Sequence, residues 1–162
     1  MNSAAKLGLI VVVSIVSCLW ALPVNAEETT DLSGTWKLNV EKSDYGNMPK
    51  PKGSFTMKIE HTEPTLKWSR SGTDENGDFS SEFTTVIDGK QRPFTEGAIT
   101  QTQSFKRVSA SVIEYVGKST EGETLGTGTW TISKDRKVLT QKASTRDMNA
   151  KPLTVTVVFE KQ

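Results

Sequence analysis

Gln101 and Gln103 lie two residues apart between Ile99 and Phe105, and the intervening Thr100, Thr102, Ser104 and Lys106 are all polar. On a strand this spacing puts both amides on one face, flanked by apolar side chains. An amide donates and accepts at once, so a pair in an apolar interior anchors the polar part of a ligand. The competing use is structural: bonding to each other, to Tyr115 or to buried water. Trp68, Phe105, Tyr115 and Trp130 are the aromatic groups available to stack on a bound molecule, or to fill an interior. Arg70 continues the face of Leu66 and Trp68, and His61 continues that of Phe55, Met57 and Ile59. Each therefore falls at a barrel rim or at a solvated strand end. Asp74-Glu75-Asn76-Gly77-Asp78 opens like a calcium loop, but the further glycine and the distant glutamate are missing, which leaves a hairpin turn. One histidine, and no cysteine once Cys18 is lost with a cleaved leader, exclude Cys–His catalysis and a multi-histidine zinc site. No nucleotide or triad signature is present, so the residues point to no enzyme, no metal and no cofactor.

The elements that must position these groups belong to a chain of 162 residues with formal charge +1. That length suits one domain with a sizeable core. The near balance of charge argues against nucleic acid as a partner, because phosphate binding draws on a basic excess.

Residues 1–26 read as an address. Met1 to Lys6 is a short positive head, Leu7 to Leu22 is mostly apolar, and Pro23 precedes the small-residue site Val24-Asn25-Ala26. This is the pattern of a signal peptide cut after Ala26, and the apolar run falls short of the about 20 residues of a spanning helix. Ile15-Val16-Ser17-Cys18 is similar to a lipobox, so the alternative is a lipoprotein anchored through Cys18. Simple cleavage leaves a cysteine-free domain, 27–162, with no membrane span, and the expected location is periplasmic or secreted.

Strand periodicity runs through that domain. Trp36, Leu38 and Val40 alternate with polar neighbours, as do Phe55, Met57 and Ile59, Leu66 and Trp68, and Trp130 and Ile132. Phe79 to Ile87 is apolar on both faces, which leaves its orientation open. Ile99 to Lys106, Val112 to Val116, Val138 to Thr145 and Leu153 to Phe159 complete the set. Asn76-Gly77, Asp88-Gly89, Lys134 to Lys137 and Asp147 to Ala150 read as turns, and Asp44 to Gly53, with Gly46, Pro49, Pro51 and Gly53, as a loop. The expected fold is all-β: an antiparallel up-and-down barrel of about eight to nine strands, with a two-sheet sandwich as the alternative.

Leu32-Ser33-Gly34-Thr35-Trp36-Lys37-Leu38 carries a G-x-W motif at the head of the first strand. It resembles the opening of the calycin barrels, the lipocalin and fatty-acid-binding-protein group, and is similar to small secreted bacterial proteins described as lipocalin-like. The resemblance implies that Gly34 and Trp36 close one end of a monomeric barrel. It also implies a small apolar or amphipathic molecule carried inside, with Trp68, Gln101, Gln103, Phe105, Tyr115 and Trp130 as the ligand-facing set. Two features depart from the fatty-acid-binding pattern. Asp44 to Gly53 cannot form that family's helical lid, and Thr156-Val157-Val158-Phe159 lacks the arginine and tyrosine that hold a carboxylate there. A filled barrel serving as a structural or protein-binding envelope module is the rival reading.

Overall fold

The computed structural model describes residues 29–96, 99–147 and 149–162. The expected leader, its cleavage site and Cys18 lie outside the described residues. Ten strands follow one another: β1 (Gly34–Leu38), β2 (Ser54–Thr62), β3 (Thr65–Asp74), β4 (Gly77–Val86), β5 (Arg92–Glu96), β6 (Ile99–Ser109), β7 (Val112–Lys118), β8 (Thr124–Ile132), β9 (Val138–Arg146) and β10 (Pro152–Lys161). No helix occurs among the described residues, and so none long and apolar enough to cross a membrane.

All ten strands form one antiparallel sheet in the order β4-β3-β2-β1-β10-β9-β8-β7-β6-β5. The first and last strands pair, Trp36 opposite Lys161 and Leu38 opposite Phe159. The two ends of the sheet, β4 and β5, then meet across a seam. A parallel bridge joins Ile87 to Phe105, and the Gly89 N–H donates to the Phe105 carbonyl at 2.8 Å. The Phe83 and Phe94 rings stack across the seam with centroids 4.7 Å apart. The result is a barrel closed by backbone ladders everywhere except at this seam.

Two expectations need correction. The count is ten strands rather than eight or nine, because β5, Arg-Pro-Phe-Thr-Glu, shows too little alternation to be read as a strand. Its Pro93 lacks an N–H, a loss tolerated on an edge strand, where β5 lies. Asp88-Gly89 likewise makes no hairpin between paired strands. It begins the connection at the seam, braced by the Asp88 carboxylate on the Arg92 guanidinium at 2.6 and 2.7 Å. The other turns form as their residues imply. Asp74 pairs with Gly77 around a two-residue hairpin, and the Asp74 carboxylate accepts from the Asn76 N–H at 2.7 Å.

Side-chain parity divides the interior into two halves. At the end holding the start of β1, Trp36, Ile59, Leu66, Ile113, Ile132 and Leu139 are buried and fill the barrel. Trp36 is fully buried, and its indole N–H donates to the Leu32 carbonyl at 2.9 Å. The Lys161 ammonium lies 5.2 Å from the indole centroid. Gly34 takes φ +139, a conformation an L side chain rarely adopts, where the Lys161 stem crosses β1. His61 is also at this closed end. Its ring is 2% exposed, and Nδ1 accepts from the Leu32 N–H at 3.2 Å. It is neither a rim residue nor a solvated strand end, since the segment before β1 folds over it.

At the other end the inward positions of β7 and β8 are emptied by glycine. Gly117, Gly126 and Gly128 occupy the parity of Ile113, Tyr115 and Trp130. A β-carbon on Gly128 would overlap the Lys142 carbonyl and the Tyr115 ring. Gly128→Ala should therefore lower stability by about 1–3 kcal/mol, measured by urea denaturation. Trp36→Phe, which leaves the Leu32 carbonyl buried without its donor, should cost about 1–3 kcal/mol on the same assay. An unchanged midpoint in either variant would refute the corresponding packing argument.

Candidate functional site

The half of the barrel not filled by the core contains a cavity of about 420 Å³. Trp68 on β3, Gln101, Gln103 and Phe105 on β6, Tyr115 on β7 and Trp130 on β8 all line it. Strand alternation brings these six together from four strands, because each occupies the inward parity of its strand at the level just above the filled core. Their rings interlock. Trp68 and Trp130 meet edge to face with centroids 5.4 Å apart, and Phe105 lies 5.5 Å from Trp68, 5.9 Å from Trp130 and 6.0 Å from Tyr115. Gly34 and Trp36, expected at the barrel end, do not line the cavity, and Trp36 is fully buried in the filled core.

The amides are placed by absences beside them. The Gln101 side-chain oxygen sits 3.7 Å from where a Gly117 β-carbon would stand, an ordinary contact, so only a side chain longer than alanine on β7 would crowd this amide. Among the described residues, neither Gln101 nor Gln103 bonds to the other, and neither bonds to Tyr115. Both face the cavity. Burial pushes the Tyr115 phenol above its ordinary pKa, because the phenolate would be formed in a poorly solvated site. Tyr115 is therefore a neutral hydroxyl at physiological pH.

Three polar residues and one proline at the cavity carry no assignment to it from the sequence. Arg70 on β3 reaches the cavity wall, its guanidinium carbon 4.8 Å from the Phe83 centroid, and is neither at a rim nor at a solvated strand end. The parity of Leu66 and Trp68 carried that information. Gln141 follows from the parity of Leu139. Its amide N–H points toward the Met57 sulfur at 3.9 Å, a weak contact. Tyr45 and Pro51 come from the loop after β1, which carries no periodic signal. That loop is tied to β10 by reciprocal bonds between Asp44 and Thr156, both 2.7 Å, and by the Val158 N–H to the Ser43 hydroxyl at 2.9 Å. The Tyr45 hydroxyl is buried with no protein partner among the described residues. No carboxylate lines the cavity among those residues.

A largely aromatic wall with convergent donors and acceptors among its rings is consistent with a small-molecule site. No protein-family model matches the chain, and no curated protein is similar to it in sequence. Solved structures do share its fold. A zebrafish ileal bile acid-binding protein in complex with cholic acid superposes with TM-score 0.58 at 10% identity, over 81% of this chain and 98% of the other. A secretory abundant heat soluble protein from Ramazzottius varieornatus gives 0.60 at 12%, over 85% and 99%. An extracellular fatty acid binding protein gives 0.57 at 10%, over 81% and 96%. This chain thus shares the fold of these proteins, a nearly closed antiparallel β-barrel.

The raised Tyr115 pKa has a consequence for stability. As pH passes the ordinary tyrosine value of about 10, the unfolded chain loses this proton before the folded one does. Stability is then full below that value and falls as pH rises through the folded-state pKa. Denaturation midpoints between about pH 9 and 11 should show this loss, and Tyr115→Phe should reduce it. An identical alkaline slope in the variant would remove Tyr115 as its source.

Proposed function

We propose that this chain binds a small apolar or amphipathic molecule inside its barrel, and that it acts as a carrier or binder rather than an enzyme. The observation that carries this reading is the 420 Å³ cavity, whose largely aromatic wall includes Gln101 and Gln103, neither of which has a hydrogen-bond partner among the described residues. Burial of a ligand's apolar surface contributes about 25 cal/mol per Å², and the polar groups choose among ligands. The similar structures that are named for bile acid and fatty acid binding support a barrel of this kind as a container. The fatty-acid mode that relies on arginine and tyrosine in the last strand is not available, since Thr156-Val157-Val158-Phe159 holds neither. The rival reading, a filled barrel used as an interaction module, predicts a solid interior, and the cavity favours the container over it.

The same reading places the protein outside the cytoplasm of a bacterium, monomeric, after cleavage following Ala26. Residues 1–26 support export, and lipidation at Cys18 is the alternative. Native mass spectrometry of the protein from its own host tests both parts. A polypeptide mass matching 27–162, carrying a small-molecule adduct lost on activation, is expected. Added lipid mass at Cys18 would replace simple cleavage with anchoring.

The amides are tested by Gln101→Leu/Gln103→Leu. Over a panel of apolar and amphipathic probes titrated calorimetrically, the double variant should change the ranking of affinities by about ten-fold for the more polar probes. An unchanged ranking would remove the two glutamines from the site.

A further inference from the structure

Of the sixteen described residues that line the cavity, eight are aromatic, three are glutamines, and Leu38, Pro51, Met57 and Val157 provide its aliphatic surface. That composition is unusual for a container of acyl chains, which gain only from the apolar area they bury. Ring faces add an offset-stacking or edge-to-face attraction that a flat π-system collects and a polymethylene chain does not. The rings also hold one another in place. Trp68 touches Phe83, Phe105 and Trp130, and Phe83 in turn stacks on Phe94 across the seam. They form a preorganised wall rather than a set of independent side chains, so a ligand need not order them on binding.

The polar groups narrow the class further. Gln101 and Gln103 stand two residues apart on the β6 face that also carries Phe105, so their amides and that ring border the same space. A planar amide presents a donor and an acceptor side by side, which matches a ring edge carrying carbonyl, hydroxyl or heterocyclic N–H groups. Tyr115 adds a neutral hydroxyl, and the Tyr45 hydroxyl adds a second from the loop over the cavity. A single-headed acyl chain has polar atoms at one end only. Once it expels water, amides beside its methylene chain lose their partners, a penalty of about ten-fold in affinity for each.

Resting on the reading that the cavity takes a small molecule, we infer that its ligand is a flat aromatic compound with hydrogen-bonding atoms along its edges, rather than an acyl-chain amphiphile. The flat body lies against the Trp68, Phe105 and Trp130 rings, and its edge atoms meet Gln101, Gln103 and Tyr115.

The test uses the full chain and two probes of similar size, quercetin and palmitate, titrated by isothermal calorimetry. Quercetin should bind at least about ten-fold more tightly than palmitate. Gln101→Leu/Gln103→Leu, checked for an unchanged circular dichroism spectrum, should weaken quercetin about ten-fold while palmitate affinity stays or improves. Should the double variant not fold, Gln103→Glu supplies the second arm: its carboxylate should weaken palmitate more than quercetin. Palmitate binding as tightly as quercetin, or quercetin binding that ignores these substitutions, would overturn the inference and leave the container reading standing. Failure of both probes to bind would overturn the container reading as well.

Discussion

The buried Trp36 indole anchors the filled half of the interior, and the cavity lies in the other half. Its N–H is satisfied by the Leu32 carbonyl, so a large ring sits at the barrel axis without an unpaired donor. The same residue lies on β1, which pairs with both β2 and β10 and so joins the beginning of the chain to its end. Aliphatic side chains from neighbouring strands complete that layer. Because the lower half is solid, any hollow must lie above it, bounded below by Trp68, Phe105 and Trp130.

The hollow itself is a matter of what is missing. Ladder geometry fixes the strand separation, so the space inside a closed sheet is set by the inward side chains alone. On β7 and β8 the inward series end in glycine toward the open end: Ile113, Tyr115 and Gly117 on one strand, and Ile132, Trp130, Gly128 and Gly126 on the other. The Gln101 amide and the Tyr115 ring lean into the volume that these glycines vacate. The Gln101 amide is thereby brought into a largely aromatic chamber without a hydrogen-bond partner among the described residues, an arrangement that costs free energy unless water or a ligand meets it. Such a cost is more readily understood in a chamber that is occupied than in a stabilising core.

The seam between β4 and β5 is the weakest part of the wall by construction. Elsewhere, neighbouring strands share backbone hydrogen bonds, whereas here closure depends on the Phe83–Phe94 stack, the Ile87–Phe105 bridge and the Asp88–Arg92 ion pair. Asp88 is held well below the usual carboxylate range, chiefly by its hydrogen bonds from Arg92. That brace fixes the connection from which β5 starts, and with it the position of Phe94 in the cavity wall.

Alternation along the chain was sufficient to determine the all-β class, most strand positions and the inward face of β6. The pleat makes side-chain direction a property of sequence parity. For the same reason the six residues expected to face a ligand do share one chamber, and Arg70 and Gln141 were legible from Leu66, Trp68 and Leu139 had parity been followed further. The glycines of Thr-Leu-Gly-Thr-Gly-Thr-Trp, on the face of Trp130, were an available sign of a hollow rather than filled interior. The tertiary structure alone decided the rest. Whether ten strands close on themselves, where the seam falls, and how the Asp44–Gly53 loop brings Tyr45 to the cavity depend on pairings between residues far apart in the chain. Periodicity describes one strand at a time. It cannot show which strand supplies the opposite wall, and a cavity exists only between walls.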